Sequence, residues 1–327
     1  MDWFERITGF KELGYAETKA ALKVVDGRLR SVHSERVCFV GALETPTLAD
    51  LRCRTQEIAS RPGGELKVSS LQGDVRRLHG QPVNNSALFQ VASQFNLLEM
   101  VGPQVSPEDG VTGYQNDRTQ GPACAMAAGA AAIYRNYLAP VDAGTGQTRE
   151  RQIDCLADLG KALGNQAGAL WEMRNGYALC SNEGLGAIDG QLAGMAPEAV
   201  DELRGLLRIG LQWGVEVTDA AAPGQRVAQA LCSALPVAYC DVEASRWQRF
   251  ATLVLEAAYE ATLRAALLNR EQTGCPTVFL TRLGGGAFGN DPQWIDSAMA
   301  RAFDLLRGCE LDVRIVNFSG AAVPAKK

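Results

Sequence analysis

The sequence predicts an α/β fold, and the clearest support lies near its carboxyl terminus. Pro276–Leu283 is an apolar, β-branched run typical of a strand, and a glycine-rich stretch follows it. Asp291 and Pro292 suit the cap and the first position of a helix whose apolar residues recur at helical spacing. Leu311–Phe318 has the pattern of the next strand. A strand, loop, helix and strand in this order favour a crossover between parallel strands.

Further elements are predicted upstream of this unit. Glu65–Gln72 alternates apolar and polar residues as a strand does, and Ser86–Ala92 is a short apolar run of strand length. Pro122–Tyr137 and Arg246–Leu268 have the small or apolar positions of helices. We predict a mostly helical insertion over about 140–200, where the sequence is rich in glycine and weakly periodic.

The composition indicates a globular chain, because 46% of the 327 residues are hydrophobic and 21% are charged. We predict an amino-terminal extension over 1–60 that packs on the core. One domain over 61–320 would contain the insertion, and a disordered tail over 321–327 would follow.

Charge and composition exclude several classes of function. The formal net charge is −5 and no basic stripe occurs, so we predict no nucleic-acid partner. No stretch reaches the roughly 18 apolar residues of a membrane span, and we predict no membrane partner. Nine scattered cysteines without a C-x-x-C motif favour reduced thiols, and two histidines disfavour a zinc site. We therefore expect no metal, no cofactor, and a cytoplasmic location, or a host cytosol if the protein is a secreted effector.

The segment Gly284–Asn290 places four glycines between a predicted strand and a predicted helix. Glycine lets backbone amides approach a phosphate and adopts positive φ, which we expect at Gly285. The amino terminus of the following helix favours an anion as well. The alternative is a flexible connection with no ligand. The segment matches neither a Walker A loop nor the G-x-G-x-x-G fingerprint.

Four segments together resemble the macrodomain superfamily: LKVSSLQGDV at 66–75, SALFQVASQFN at 86–96, the loop 110–121 before a helix, and LGGGAFGN at 283–290. The stretch GYQNDRTQGPACAMAAGAAAIYRNY is similar to a divergent branch that contains bacterial ADP-ribosyl hydrolases. The resemblance implies a macrodomain-like α/β/α sandwich with a mixed central sheet. The Asn-Ala-Ala-Asn signature of the family is absent, and Ala92-Ser93-Gln94-Phe95-Asn96 stands in its place.

The resemblance also implies an ADP-ribose site. Asp74 would recognise the adenine amino group and Phe288 would abut the distal ribose, although Asp74 could instead cap a turn and Phe288 could belong to the core. Asn96 would bind ligand or only hold its loop. The predicted ligand-binding residues are Asp74, Gln94, Asn96, Gly284, Gly285, Gly286, Ala287, Phe288, Gly289 and Asn290.

With histidines scarce, carboxylates are the candidates for proton handling. Asp117 comes first, because it precedes the helix that begins near Pro122, and the alternative is an aspartate paired with an arginine in a loop. Asp109 and Glu99 are candidate partners. Asp109 could equally decorate a turn, and Glu99, in an apolar stretch, is either exposed or a functional group with a shifted pKa.

Three functions remain open from the sequence. The first is an ADP-ribosyl hydrolase that removes ADP-ribose from a modified protein, with ubiquitin among the targets that the resemblance suggests. The second is a reader that binds ADP-ribose without turnover. The third is an unrelated nucleotide-dependent enzyme on a doubly wound sheet, which would bind ATP or NAD and ignore ADP-ribose.

Overall fold

The computed structural model describes residues 1–221 and 224–318, so the predicted tail over 321–327 lies outside the described residues. Its helices, in chain order, are α1 (Trp3–Thr8), α2 (Tyr15–Ala20), α3 (Leu48–Ala59), α4 (Val75–His79), α5 (Gln120–Ala127), α6 (Gly129–Tyr137), α7 (Ala157–Leu163), α8 (Asn182–Ala193), α9 (Pro197–Gly205), α10 (Gln248–Thr273) and α11 (Pro292–Leu306). Its strands are β1 (Leu22–Val25), β2 (Arg28–Ser31), β3 (Ser34–Phe39), β4 (Ala42–Glu44), β5 (Leu66–Gln72), β6 (Leu88–Ala92), β7 (Pro140–Val141), β8 (Gly144–Thr145), β9 (Trp171–Arg174), β10 (Tyr177–Cys180), β11 (Gly210–Glu216), β12 (Arg226–Cys232), β13 (Thr277–Leu280) and β14 (Leu311–Asn317).

In the described part of the chain, the central sheet has seven strands in the order β4-β11-β12-β6-β13-β14-β5. The strands from β12 to β5 run parallel to one another. By contrast, β11 is antiparallel to both β12 and β4. The sheet is therefore mixed, and α11 connects the parallel neighbours β13 and β14 as predicted.

Helices cover both faces of this sheet. Phe89 on β6 stacks on His79 of α4, with 3.8 Å between ring centroids. The next residue, Gln90, donates a 3.0 Å hydrogen bond to Thr262 of α10. Successive side chains of a strand point to opposite faces, so α4 and α10 lie on opposite sides. Because α5 packs on α4, and both α3 and α11 pack on α10, the predicted α/β/α sandwich is confirmed.

The amino-terminal segment 1–60 does more than pack on the core. Trp3 and Phe4 of α1 are buried with Tyr137 in an apolar cluster of their own, beside the β1–β3 meander. However, β4 forms the edge of the central sheet beside β11, and α3 packs on α10. The segment thus contributes a strand and a helix to the sandwich itself.

The helix predicted over Pro122–Tyr137 is two helices, α5 and α6. They separate at Ala128, whose φ of −112° and ψ of 52° are not helical. Thr218 causes the break, because its amide donates to the Ala127 carbonyl at 2.8 Å and its hydroxyl accepts from the Gly129 amide at 2.9 Å. These bonds replace helix bonds that the sequence alone would predict.

The region 140–200 is less helical than predicted. It contains α7, α8 and α9, but also the antiparallel hairpin β9–β10. Asn175 and Gly176 form the turn with φ of 48° and 80°. Positive φ at both positions suits a type I′ hairpin turn, for which Asn-Gly is the strongest signal.

Candidate functional site

The parallel strands bring several loops to one edge of the sheet, where ligands of open α/β sheets bind. The loop that follows β13 packs on the segment that follows β12. Asn290 donates a 2.8 Å hydrogen bond from its side chain to the Leu235 carbonyl, and the Ala238 amide donates to the Phe288 carbonyl at 2.9 Å. Asn290 is buried, and its hydrogen bond to Leu235 holds the loop against this segment.

Two glycines of this loop are required by its geometry. Gly284 and Gly289 have φ of 75° and 72°, which L side chains rarely adopt. An added Cβ at Gly284 would lie 2.5 Å from the Cβ of Ala234, and one at Gly289 would lie 2.9 Å from the Cβ of Ala238. The loop therefore approaches its neighbour closely at both ends.

The expectation of a positive φ at Gly285 was wrong. Its φ is not positive, and an added Cβ would lie 3.0 Å from Cδ1 of Ile295, inside the protein. At Gly286 an added Cβ would meet nothing within 4 Å. The position that faces open space is therefore Gly286.

Three consecutive amides of the loop lack a partner. Within residues 1–221 and 224–318, the N–H groups of Gly286, Ala287 and Phe288 have no hydrogen-bond acceptor in the protein, whereas the Gly289 and Asn290 amides bond to carbonyls of Gly286 and Gly284. Successive free amides can form an anion-binding concavity where a turn makes them converge. This arrangement suits a phosphate or pyrophosphate group.

An aromatic trio lies beside these amides. Phe288, Tyr177 and Tyr239 have ring centroids 5.2 to 5.5 Å apart. The Tyr177 hydroxyl donates a 2.7 Å hydrogen bond to the Met100 carbonyl, which fixes the ring. Burial raises the pKa of both tyrosine hydroxyls, which stay protonated. Phe288 is half-buried in this ring cluster, next to the free amides of the loop.

Asp117 lies within electrostatic reach of the two tyrosines of this trio. It follows a 3₁₀ turn, Thr112–Asn116, and its carboxylate accepts a 2.8 Å hydrogen bond from the Thr119 amide. Its negative charge adds to burial in raising the pKa of Tyr177 and Tyr239, so the carboxylate lies within electrostatic reach of both. Phe288 of the glycine loop is part of this cluster, and the charge of Asp117 acts on its two tyrosines.

The first turn of α5 is locked to the end of β6. The Gln120 side chain accepts from the Ala92 amide at 2.8 Å and donates to the Gln90 carbonyl at 2.7 Å. Gly121 packs so tightly that an added Cβ would lie 1.9 Å from the Ala92 carbonyl oxygen. These contacts fix the exit of the loop that carries Asp117.

Glu99 does not face the site. Its carboxylate is bound by the buried Arg135 guanidinium at 3.1 and 3.2 Å, and the residue is only 1% exposed. Burial raises the pKa of this carboxyl to about 7, and the charge of Arg135 limits the increase. The carboxyl therefore lies inside the protein beside Arg135, and its expected role as a catalytic partner stays a prediction.

Asp109 is likewise committed elsewhere. Its carboxylate accepts from the Ser106 amide at 2.7 Å and from the Ser106 hydroxyl at 2.8 Å, forming a capping box. The structure thus gives Asp109 the turn role that was its alternative.

Gln94 and Asn96 are also used inside the protein. Gln94 bonds to the amide and the carbonyl of Met100, at 2.8 and 3.2 Å. Asn96 is fully buried, accepts from the Leu98 amide at 3.1 Å and donates to Gln152 at 2.8 Å. Their side-chain amides hold the turn after β6, and their expected contact with a ligand stays a prediction.

Asp74 lies at the carboxyl end of β5, the far strand of the sheet. It caps α4, accepting from the Arg76 and Arg77 amides at 2.8 and 3.4 Å, yet its side chain is 40% exposed. Two strand spacings separate β5 from β13, about 10 Å at this edge. One elongated ligand can therefore reach from Asp74 to the glycine loop.

A cavity of about 550 Å³ lies beside the β9–β10 hairpin. Residues that line it include Gln104, Arg149, Ile153, Asp154, Met173 and Arg174, but no residue of the glycine loop. The candidate site is instead formed by the exposed glycine loop and the partly buried aromatic trio. No convergent group of three or more His, Cys, Asp or Glu side chains occurs among the residues that the structure describes.

Sequence reasoning missed Tyr177, Tyr239 and Gln120. The Asn175-Gly176 pair predicts the hairpin that carries Tyr177, but no local signal joins that hairpin to Phe288. Gln120 stands at the start of a predicted helix, where a polar residue is ordinary, and only the contact with β6 reveals its role.

None of the helices over 1–221 and 224–318 has the length and apolar character for crossing a bilayer. No protein-family model matches the chain, and no curated protein matches its sequence. The chain is similar in structure to poly(ADP-ribose) glycohydrolase from Thermomonospora curvata, with 14% identity, a TM-score of 0.43, and 94% of this chain and 90% of that one covered. The same enzyme bound to the inhibitor ADP-HPD has 15% identity and a TM-score of 0.45 over 94% and 91%. Poly(ADP-ribose) glycohydrolase from Deinococcus radiodurans in complex with ADP-ribose has 13% identity and a TM-score of 0.45 over 86% and 88%.

Proposed function

We propose that the chain binds ADP-ribose along the carboxyl edge of its sheet and hydrolyses the bond between the distal ribose and a modified protein. The observation that carries this proposal is the row of amides at Gly286, Ala287 and Phe288, which have no acceptor among the residues that the structure describes. Backbone amides bind a pyrophosphate without a basic side chain, which agrees with the acidic net charge of −5. The sequence resemblance to macrodomains supports the same ligand.

The remaining groups suit the two ends of that ligand. Asp74 is exposed enough to accept a hydrogen bond from the adenine amino group, and it lies two strands away from β13. The Phe288 ring would pack on the distal ribose. These contacts would orient the ligand with its distal ribose toward Asp117.

Hydrolysis needs a water placed at the anomeric carbon and stabilisation of the positive charge that develops on the ribose. The Asp117 carboxylate is proposed to do both, since it has an oxygen beyond the one that accepts from Thr119. Water adds to the anomeric carbon, the modified side chain departs with the bonding electron pair and receives a proton, and free ADP-ribose results.

A reader without turnover is the second candidate. Glu99 and Asp109 are bound elsewhere, so Asp117 has no second carboxylate among the predicted residues with which to share proton transfer. An ADP-ribose-binding module would need none.

Titration calorimetry with ADP-ribose, against ATP, AMP and NAD, tests the ligand. We expect micromolar or tighter affinity for ADP-ribose, and stabilisation of about 2.7 kcal/mol at one hundred times the Kd. No heat and no thermal shift at millimolar ADP-ribose would overturn the proposal, and preference for ATP or NAD would favour the nucleotide-dependent enzyme. Release of ADP-ribose from modified proteins, ubiquitin included, then separates hydrolase from reader.

A further inference from the structure

The amino-terminal segment forms hydrogen bonds with the loop that leads to Asp117. The Glu12 carboxylate, between α1 and α2, accepts hydrogen bonds from the Val111 amide at 2.8 and 3.0 Å and from the Thr112 amide at 2.7 Å. The Tyr137 hydroxyl of α6 donates to the same carboxylate at 2.7 Å. One ionised group therefore satisfies the first amides of the 3₁₀ turn, through bonds stronger than neutral ones.

The backbone at Gly110 is shaped around this carboxylate. Gly110 has φ of 83°, and an added Cβ would lie 2.5 Å from Oε2 of Glu12. A side chain at this position would displace Glu12. The loop thus accommodates the carboxylate through both its conformation and its lack of a side chain.

Trp3 of α1 also contacts this turn. Its ring stacks on Tyr114, with centroids 6.2 Å apart and planes 10° from parallel. Its indole N–H donates to the Thr112 carbonyl at 3.4 Å. The Tyr114 hydroxyl in turn accepts from the Glu99 amide at 3.1 Å, which ties the turn to the buried Glu99–Arg135 pair.

We propose that Trp3 and Glu12, named here the amino-terminal clamp, hold the 3₁₀ turn and thereby position the Asp117 carboxylate. The inference rests on the proposed function and adds a positioning role for a segment outside the ligand site. Asp117 comes directly after the clamped turn, and its amide donates to the Tyr114 carbonyl at 3.1 Å. A movement of the turn is therefore transmitted to Asp117 within a few bonds.

Glu12→Ala and Glu12→Gln test the clamp, with Glu17→Gln as the matched control. Glu17 is an exposed carboxylate of α2, in the same segment, so its variant removes the same charge without touching the turn. Glutamine at position 12 keeps one oxygen that accepts from an amide, and a graded series is expected. Circular dichroism and melting temperature establish that each variant is folded.

The first readout is hydrogen–deuterium exchange over 110–117, which does not depend on activity. We expect exchange at the Val111 and Thr112 amides to accelerate strongly in Glu12→Ala, less in Glu12→Gln, and not in Glu17→Gln. Equal exchange in Glu12→Ala and Glu17→Gln would overturn the clamp.

The second readout separates positioning from binding. We expect kcat for release of ADP-ribose to fall by up to about a hundredfold in Glu12→Ala, with partial recovery in Glu12→Gln and an unchanged Kd for ADP-ribose. Unchanged kcat beside accelerated exchange would overturn the positioning of Asp117. A wild-type protein without turnover would overturn the hydrolase function instead, while the exchange comparison still decides whether the clamp holds the turn.

Discussion

The ring of Tyr177, on a hairpin of the 140–200 region, lies 5.3 Å from the ring of Phe288 in the glycine loop. A segment predicted as a helical addition to the domain therefore forms part of the candidate site. Tyr177 is almost fully buried, and its hydroxyl is anchored to the Met100 carbonyl. The contact therefore packs Phe288 against an anchored ring, next to the free amides of the loop.

Gly286→Val is expected to abolish ADP-ribose binding and leave the fold intact. A Cβ at this position enters open space beside the three free amides, so the branched side chain would occupy the volume that the pyrophosphate needs. Titration calorimetry measures the loss. Gly308→Val is the control, since an added Cβ there also meets nothing within 4 Å. Wild-type affinity in a folded Gly286→Val protein would show that the loop is only a connection.

Asp74→Ala is expected to weaken ADP-ribose binding by roughly 1–3 kcal/mol, through loss of a charged hydrogen bond to adenine. It also removes the cap of α4, which costs about 1 kcal/mol of stability. Asp74→Ser keeps a capping hydroxyl but withdraws the carboxylate, so calorimetry on both variants separates the two effects. Ribose 5-phosphate has no adenine and should lose nothing. Equal weakening of both ligands would refute the adenine role.

The local signals of the sequence were sufficient for the carboxyl-terminal unit. Asp291 caps α11 and Pro292 opens it, as predicted, and the buried face consists of the predicted Ile295, Ala298, Met299, Ala302 and Leu306. Capping and helical spacing depend on residues close together in the chain, so a short stretch of sequence is enough to predict them. Strands β5, β6, β13 and β14 were predicted to within a few residues for the same reason.

Contacts between distant segments decided the rest. Nothing near Ala128 predicts that Thr218 interrupts the helix, and nothing near Glu99 shows that Arg135 buries it. The same holds for Asn96, because no local signal predicts that its side chain donates a hydrogen bond to Gln152 inside the protein. Such pairings follow from how the elements pack, and a polar residue at the end of a strand has the same sequence pattern whether it turns inward or toward a ligand.

Acid should destabilise the fold through His79. Burial lowers its pKa to about 4, against the opposing effect of its 2.8 Å hydrogen bond to the Val75 carbonyl. In the unfolded chain the pKa of this histidine is near the usual 6.5, so the unfolded chain binds the proton more readily than the folded protein. The contribution of His79 to the free energy of unfolding is therefore fully present above about pH 6.5 and falls as the pH drops toward 4. Because the raised pKa of Glu99, about 7, acts in the opposite sense over the same pH range, the effect is measured as a difference between two proteins. Denaturant unfolding at several pH values should show that the wild type loses on the order of 3 kcal/mol at most relative to His79→Gln over this window. Equal profiles of the two proteins would contradict the assignment.

Gly121→Ala and Gly190→Ala should have effects of opposite sign. At Gly121 the new methyl would overlap the Ala92 carbonyl oxygen and displace the first turn of α5, costing roughly 1–3 kcal/mol or more. At Gly190, in the exposed part of α8, an added Cβ meets nothing within 4 Å, and alanine should stabilise the helix by about 0.5–1 kcal/mol. Urea unfolding measures both. A neutral Gly121→Ala would mean that α5 does not press on β6.

Asp117→Asn is expected to lower turnover of ADP-ribosylated protein by about a hundredfold or more, while the Kd for ADP-ribose changes little. Asparagine keeps the size and an oxygen that accepts from the Thr119 amide, so the turn should survive and only the charge is lost. A neutral amide neither activates a water as a carboxylate does nor stabilises positive charge on the ribose. Asp109→Asn is the matched control, because it is the same substitution in the same loop. The Asp109 carboxylate accepts hydrogen bonds from Ser106, and this variant should retain nearly wild-type turnover. Single-turnover kinetics measure the chemical step for both variants. Equal rates in the two would remove Asp117 from the reaction, and activity lost in both would assign the effect to the shape of the loop.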